Sequence, residues 1–167
     1  MIRWTLPAVL ALLAGCQRCG LRDDDPLEPN NTFDQATVLV LGQAAEGRAN
    51  QNNPDVFAAD APVGHTLVFE ARSQGLENCP RFSLHGPGRE LLYQDADFRC
   101  HLRSEKLFQA PGVELQLLDA EGGVAGRYVL RANTQQEGRY FLTIVEQGEA
   151  DNALPFSWDY RLVATVE

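Results

Sequence analysis

Lysine is almost missing from this chain. Lys106 stands alone among 167 residues, and 14 Lys+Arg face 23 Asp+Glu for a net charge of −9. No stretch of the sequence gathers basic residues. A phosphate-tracking face needs such a cluster, so nucleic acid is excluded as a partner. The acidity reads as a soluble, self-repelling surface. Also missing is a long apolar run; the longest, Thr5 to Ala14, is far short of the roughly 20 residues that span a bilayer. Apolar residues at helical spacing are absent beyond one candidate turn, Phe33–Ala36, capped by Asn31-Thr32. There is no Gly-x-Ser-x-Gly, no His-Glu-x-x-His and no Gly-x-x-x-x-Gly-Lys, which leaves nucleophile-elbow, zinc-peptidase and P-loop chemistry without their residues. His65, His85 and His101 fall on separate elements, and Asp95 and Asp97 read as a loop pair, so no enzymatic activity is expected. What is present, 44% hydrophobic and 22% charged residues, is ordinary for one globular domain with a short appendage.

The appendage is at the start. Arg3 and the amino terminus make a short positive region, and Thr5 to Ala14 is the apolar heart of a secretory signal. The run ends Leu13-Ala14-Gly15-Cys16, which resembles the bacterial lipobox. That resemblance implies a signal peptide over residues 1–15 and lipidation of Cys16. A diacylglyceryl group joins the thiol, and cleavage leaves the cysteine first. Two or more acyl chains hold a protein at a membrane where one does not. Gln17 stands where that family often carries the Asp that retains a protein at the inner membrane, which implies the outer membrane. Residues 16–26, "CQRCGLRDDDP", are charged and without period, and read as a tether with a solvated Asp23-Asp24-Asp25 run.

Export puts the remaining cysteines in an oxidising compartment. Cys79 and Cys100 flank a hairpin-like stretch and are expected to pair. The loop of about 22 residues that they close contributes ~3 kcal/mol on the chain-entropy view. Cys19 pairing with Cys79 is the competing connection, and it needs the tether to fold back.

From Pro29 onward the period is two. In "FSWDYRLVATVE", Trp158, Tyr160, Leu162, Ala164 and Val166 share a face, and Asp159, Arg161 and Thr165 share the other. "HTLVFEA" places His65, Leu67, Phe69 and Ala71 together. "RYFLTIVE" is apolar on both faces and reads as an inner strand. "RFSLHGPGRELLYQ" and "VELQLLDAEGGVAGRYVLRA" each read as strand, Gly-rich turn, strand. Many short strands with Gly/Pro turns predict an all-β, antiparallel, jelly-roll-like sandwich over residues 27–167.

The order of these pieces resembles the bacterial pre-peptidase C-terminal domain. The matching segments are Glu28-Pro29-Asn30-Asn31-Thr32-Phe33, Asp55-Val56-Phe57, Gly138-Arg139-Tyr140-Phe141-Leu142-Thr143-Ile144 and Tyr160-Arg161-Leu162-Val163-Ala164. The resemblance spans residues 25–167 and implies a jelly-roll-like sandwich that accompanies exported proteins. Members in bacterial collagenases bind collagen and Ca²⁺. Carried over by position, the resemblance implies a Ca²⁺ site at Glu28, Asn30, Asn31, Asn52 and Asp55. Asn52 stands where those relatives have a first Asp, and Pro26 where they have a further Glu. Two readings of "DPLEPNNTF" therefore stand. Either it holds Ca²⁺ at millimolar concentration, or it is a turn in which Pro29 stiffens the entry, Asn30 and Asn31 close an Asx-type turn and Phe33 plugs the core edge. The expected function is an envelope-anchored, non-enzymatic binding or accessory domain that contacts protein or polysaccharide. The alternatives are a small lipoprotein hydrolase or a structural envelope lipoprotein.

Overall fold

A computed structural model describes residues 25–50, 53–73, 80–94, 106–121, 124–146 and 157–167. Cys16, Cys19, Asn52, Cys79, Asp95, Asp97, Cys100 and His101 lie outside the described residues. The described residues form two sheets. One holds β1 (Thr37–Val38), β3 (Asp55–Ala61), β10 (Gly138–Glu146), β5 (Pro80–His85) and β6 (Leu91–Gln94), in that spatial order. The other holds β2 (Ala44–Asn50), β11 (Ser157–Val166), β4 (Thr66–Ser73), β9 (Val124–Asn133), β8 (Val113–Glu121) and β7 (Lys106–Ala110). The β1–β3 pair is parallel, and the other strand pairs among the described residues are antiparallel. The expected all-β sandwich is the fold.

Alternation explains the core. Trp158, Tyr160, Leu162 and Ala164 of β11, Leu67, Phe69 and Ala71 of β4, and Tyr128, Leu130 and Ala132 of β9 point inward from the six-stranded sheet. They meet Phe57 and Ala59 of β3, Tyr140, Leu142 and Ile144 of β10, and Phe82 and Leu84 of β5. β10 sits in the middle of its sheet; its inward face lies in the core, and Phe141 on its outward face is buried as well. The outer side carries a second, small cluster of Val56, Ala58 and Phe141.

Phe33 belongs to that second cluster, not to the edge of the main core. The turn expected at Phe33–Ala36 is a single 3-10 turn, Phe33–Gln35, preceded by Thr32. It lays the Phe33 ring edge-on against Phe141 at 5.2 Å and His85 at 4.8 Å, on the outside of the five-stranded sheet. Three rings of this size shield the outward face of β10 from water. Asp25 also departs from expectation. It is 7% exposed and hydrogen-bonded to the body rather than solvated.

Candidate functional site

The opening stretch packs against the start of β3, where it builds a buried polar cluster. Asp25 precedes a proline and makes an Asx turn: the Leu27 amide donates to its Oδ1 at 2.6 Å. Its Oδ2 accepts from the backbone amide of Arg48 on β2, which fastens the segment to the six-stranded sheet. Glu28 folds back. Its Oε2 accepts from the Asn30 amide at 3.0 Å, and its Oε1 accepts from the Asn53 side chain. The Glu28–Pro29 peptide bond is cis. The Asn30 carbonyl accepts from the Val56 amide at 2.8 Å, which joins the segment to β3.

Asp55, the first residue of β3, is fully buried, and so is Asn30. The Tyr160 hydroxyl donates to Asp55 Oδ2 from β11, across the sandwich. This contact depends on Gly47, which pairs with Tyr160. A Cβ on Gly47 would lie 2.5 Å from the phenol oxygen and 2.7 Å from the ring carbon that bears it. Any side chain there drives the phenol off Asp55.

The electrostatics are one-sided. Burial pushes the Asp55 carboxyl up to about 7; the Tyr160 hydroxyl moderates this, Asp25 and Glu28 add to it, and the Asn30 amide lowers it slightly. Burial, with Asp55 beside it, also pushes the Tyr160 hydroxyl well above its ordinary range. The charges acting on Asp55 are thus all negative. Arg48 turns its guanidinium to Asp159, with Nη2 to Oδ2 at 3.0 Å.

Four buried atoms are left without a hydrogen-bond partner of ordinary geometry: Asp55 Oδ1, Asn30 Oδ1 and Nδ2, and Asn31 Oδ1. Each such group costs about 1–3 kcal/mol when nothing satisfies it. Three of the four are oxygens. Hard cations take carboxylate and amide oxygens together. Among the described residues no group of three or more His, Cys, Asp or Glu could hold a metal ion, so a site here has to draw on the asparagine oxygens.

Of the expected set, Glu28, Asn30 and Asp55 come together; Asn31 follows Asn30 with its Oδ1 buried, and Asn52 lies outside the described residues. Three participants were not foreseen. Asp25 was read as tether, although its place before Pro26 is an Asx-turn signal. Asn53 reaches Glu28. Tyr160 read only as core, and it lies 105 residues from Asp55 in sequence. His65 is exposed in the β3–β4 turn. His85 packs on Phe33 outside the five-stranded sheet with its Nδ1 buried and unpaired. Nothing joins them into a catalytic set among the described residues.

No protein-family model matches the sequence, and no curated protein matches it. Several solved structures are similar in chain trace. The periplasmic inhibitor of g-type lysozyme from Aeromonas hydrophila, PliG, is 12% identical, with a TM-score of 0.45 over 79% of this chain and 99% of that one. The pre-peptidase C-terminal domain of collagenase from Bacillus anthracis is 14% identical, with a TM-score of 0.47 over 81% of this chain and 100% of that one. The surface-associated copper-binding protein CorA of Methylomicrobium album BG8 is 7% identical, with a TM-score of 0.49 over 79% and 98%.

Proposed function

We propose that the chain is a non-enzymatic binding module held at the bacterial outer membrane by lipid on Cys16, and that Ca²⁺ fastens its first segment to the sandwich. The observation that carries the calcium reading is the set of buried, unpartnered oxygens on Asp55, Asn30 and Asn31 beside the carboxylates of Glu28 and Asp25. Asp55, Asn30, Asn31 and Glu28 would hold the ion, with Asn52 as a further donor. A divalent cation supplies the positive charge that this cluster lacks. Its place is mechanical: it ties residues 25–31 to β3 and, through Tyr160, to β11. Eight residues stand between Cys16 and Asp25, a reach of about 30 Å at full extension. The module therefore stays close to the membrane surface, presented from a stiffened root.

About 10 mM Ca²⁺ is expected to raise the stability of the mature chain by ~1–1.5 kcal/mol if the dissociation constant is near millimolar. Asp55→Ala should remove the gain, and Mg²⁺ should not reproduce it, because it demands a tighter octahedron. Melting curves with and without each ion check this; curves indifferent to Ca²⁺ reduce the segment to a turn.

The anchor has its own test. Fatty-acid label should enter the full chain, and Cys16→Ser should lose both the label and the membrane fraction. Label retained by that variant refutes the lipobox assignment. Within the same reading Cys79 pairs with Cys100, and two free thiols in the oxidised, folded domain would exclude it.

A further inference from the structure

We propose that the outer face of the six-stranded sheet binds an acidic polysaccharide, a chain of uronate sugars whose carboxylates are taken by Arg161, Arg72 and Arg127. This rests on the reading of the chain as a binding module and is independent of its calcium site.

Register makes the site. Arg161 of β11 pairs with Arg72 of β4, and Arg72 pairs with Arg127 of β9. All three point away from the core, because their neighbours Tyr160, Leu162, Ala71 and Tyr128 point into it. Three arginines therefore stand in one cross-strand row. Adjacent strands lie about 4.8 Å apart, so the row runs about 10 Å from first to last. Like charges directly opposite one another destabilise a sheet. A chain of net charge −9 with so few basic residues has nonetheless placed three of them side by side.

Among the described residues the row is only partly neutralised. Glu70 is the one carboxylate that answers it among the described residues, accepting from Arg72 Nε at 2.8 Å and from Arg127 Nη2 at 2.9 Å. Burial raises the Glu70 carboxyl, but these bonds and the two positive charges outweigh burial and hold it below its usual range. Arg127 Nε is buried with no partner. Arg161 is exposed, and it makes no ion pair among the described residues, although Glu46 stands across from it on β2. Guanidinium forks in this state are set to take carboxylates from outside, two hydrogen bonds at a time.

The rest of the face says what kind of acid. Arg131 follows Arg127 by four residues along β9, about 13 Å away, and there the surface hollows into a groove of about 490 Å³. Thr66, Gln109, Glu114, Arg131, Asn133 and Glu167 line it. Hydroxyl, amide and carboxylate groups of this mix exchange hydrogen bonds with sugar hydroxyls. The outward positions of the described strands of this six-stranded sheet carry no aromatic side chain, the residue type on which protein interfaces are usually anchored. Duplex nucleic acid meets the repulsion of the whole acidic molecule. A polyuronate has what remains: one carboxylate per repeat for the arginine row, and hydroxyls for the groove.

The test uses the full chain in EDTA, so that no cation bridges carboxylates. Polygalacturonate should bind, its fully methyl-esterified form should not, and affinity should fall as salt rises. Arg161→Ala should weaken binding at least tenfold, and Arg161→Lys should recover only part of it, since an ammonium cannot fork. Arg161 has no ion-pair partner among the described residues, so its variants should melt with the parent, and a matched melting curve certifies the comparison. Equal binding of the ester, parental affinity in folded Arg161→Ala, or equal binding of polyglutamate or duplex DNA would each overturn the proposal. A chain that gains stability with Ca²⁺ yet ignores polygalacturonate refutes this site and leaves the calcium site standing.

Discussion

In calcium-free protein, the stability contributed at Asp55 should fall by about 4 kcal/mol as pH rises from 4 to 7. The folded carboxyl titrates at about 7 against 3.8 for the free group, chiefly because it is buried. Each unit of displacement is worth about 1.4 kcal/mol. Between those values the folded state holds a proton that the unfolded chain has released. Stability then declines with pH, since the slope follows the protons bound by the unfolded state minus those bound by the folded one. The full contribution is present below about pH 4 and is gone above about pH 7. Asp60 and Glu70 are displaced the other way and blur the raw curve, because their hydrogen-bonded carboxylates lose stability as pH falls. The comparison to make is therefore the parent against Asp55→Asn, which cannot ionise, by urea unfolding across that range. A difference that does not change with pH would falsify the picture of Asp55 as a desolvated acid. Calcium should reverse the trend. It binds the deprotonated carboxylate, so its apparent dissociation constant should rise about tenfold for each pH unit below 7.

Trp158→Ala is expected to cost about 3–5 kcal/mol, the range for removing a large buried aromatic. Trp158 is fully buried. It stacks on Tyr160 at 4.5 Å, meets Tyr128 edge-on at 5.6 Å and Phe82 at 6.0 Å, and donates from Nε1 to Ser73 Oγ at 3.1 Å. Alanine leaves a cavity that β-sheet backbones on either side cannot close, and it removes the hydrogen bond to the Ser73 hydroxyl. Trp158→Phe keeps most of the ring contact and should cost less. The consequence reaches the polar cluster, because Tyr160 holds Asp55 from its place against Trp158. The calcium response should shrink along with the stability in Trp158→Ala. Urea midpoints with an unchanged slope, measured with and without Ca²⁺, check both parts. A loss under about 1 kcal/mol would mean that the neighbouring rings repack into the space.

Local pattern made much of the sandwich legible. β11 is the clear case: every second residue from Trp158 to Ala164 is buried, as the alternation in "WDYRLVA" demands. β10 was readable as an inner strand because Tyr140, Phe141, Leu142 and Ile144 leave no polar face. The hairpins β5–β6 and β8–β9 were marked by their glycines. β7 was not readable, since Lys106–Ala110 pairs on one side with β8 and presents Leu107 to solvent, so its short pattern is mixed. Phe33 was placed at the wrong surface because an aromatic after a turn says that it will be buried, not against which layer. Of the polar cluster, the motif around Glu28 pointed to Asn30, Asn31 and Asp55. Asp25 hid in a run of three aspartates, and Tyr160 hid in the core face of its strand.

The sequence alone determined which side chains of each strand turn inward, because side-chain direction in a strand alternates whatever its neighbours are. It also determined the acidity and the lack of catalytic motifs. Partners were decided only by the tertiary structure. Arg161, Arg72 and Arg127 are scattered through a chain with no basic stretch, and they become a row because β11, β4 and β9 pair in one register. A slip of one residue in β4 would turn Arg72 into the core and dissolve the row. Asp55 acquires its raised affinity for a proton in the same way, chiefly from burial between the two sheets, with Asp25 and Glu28 folded over it adding to the effect. Both sites are sums over long-range pairings, and a period-two pattern carries no information about which strand lies next to which.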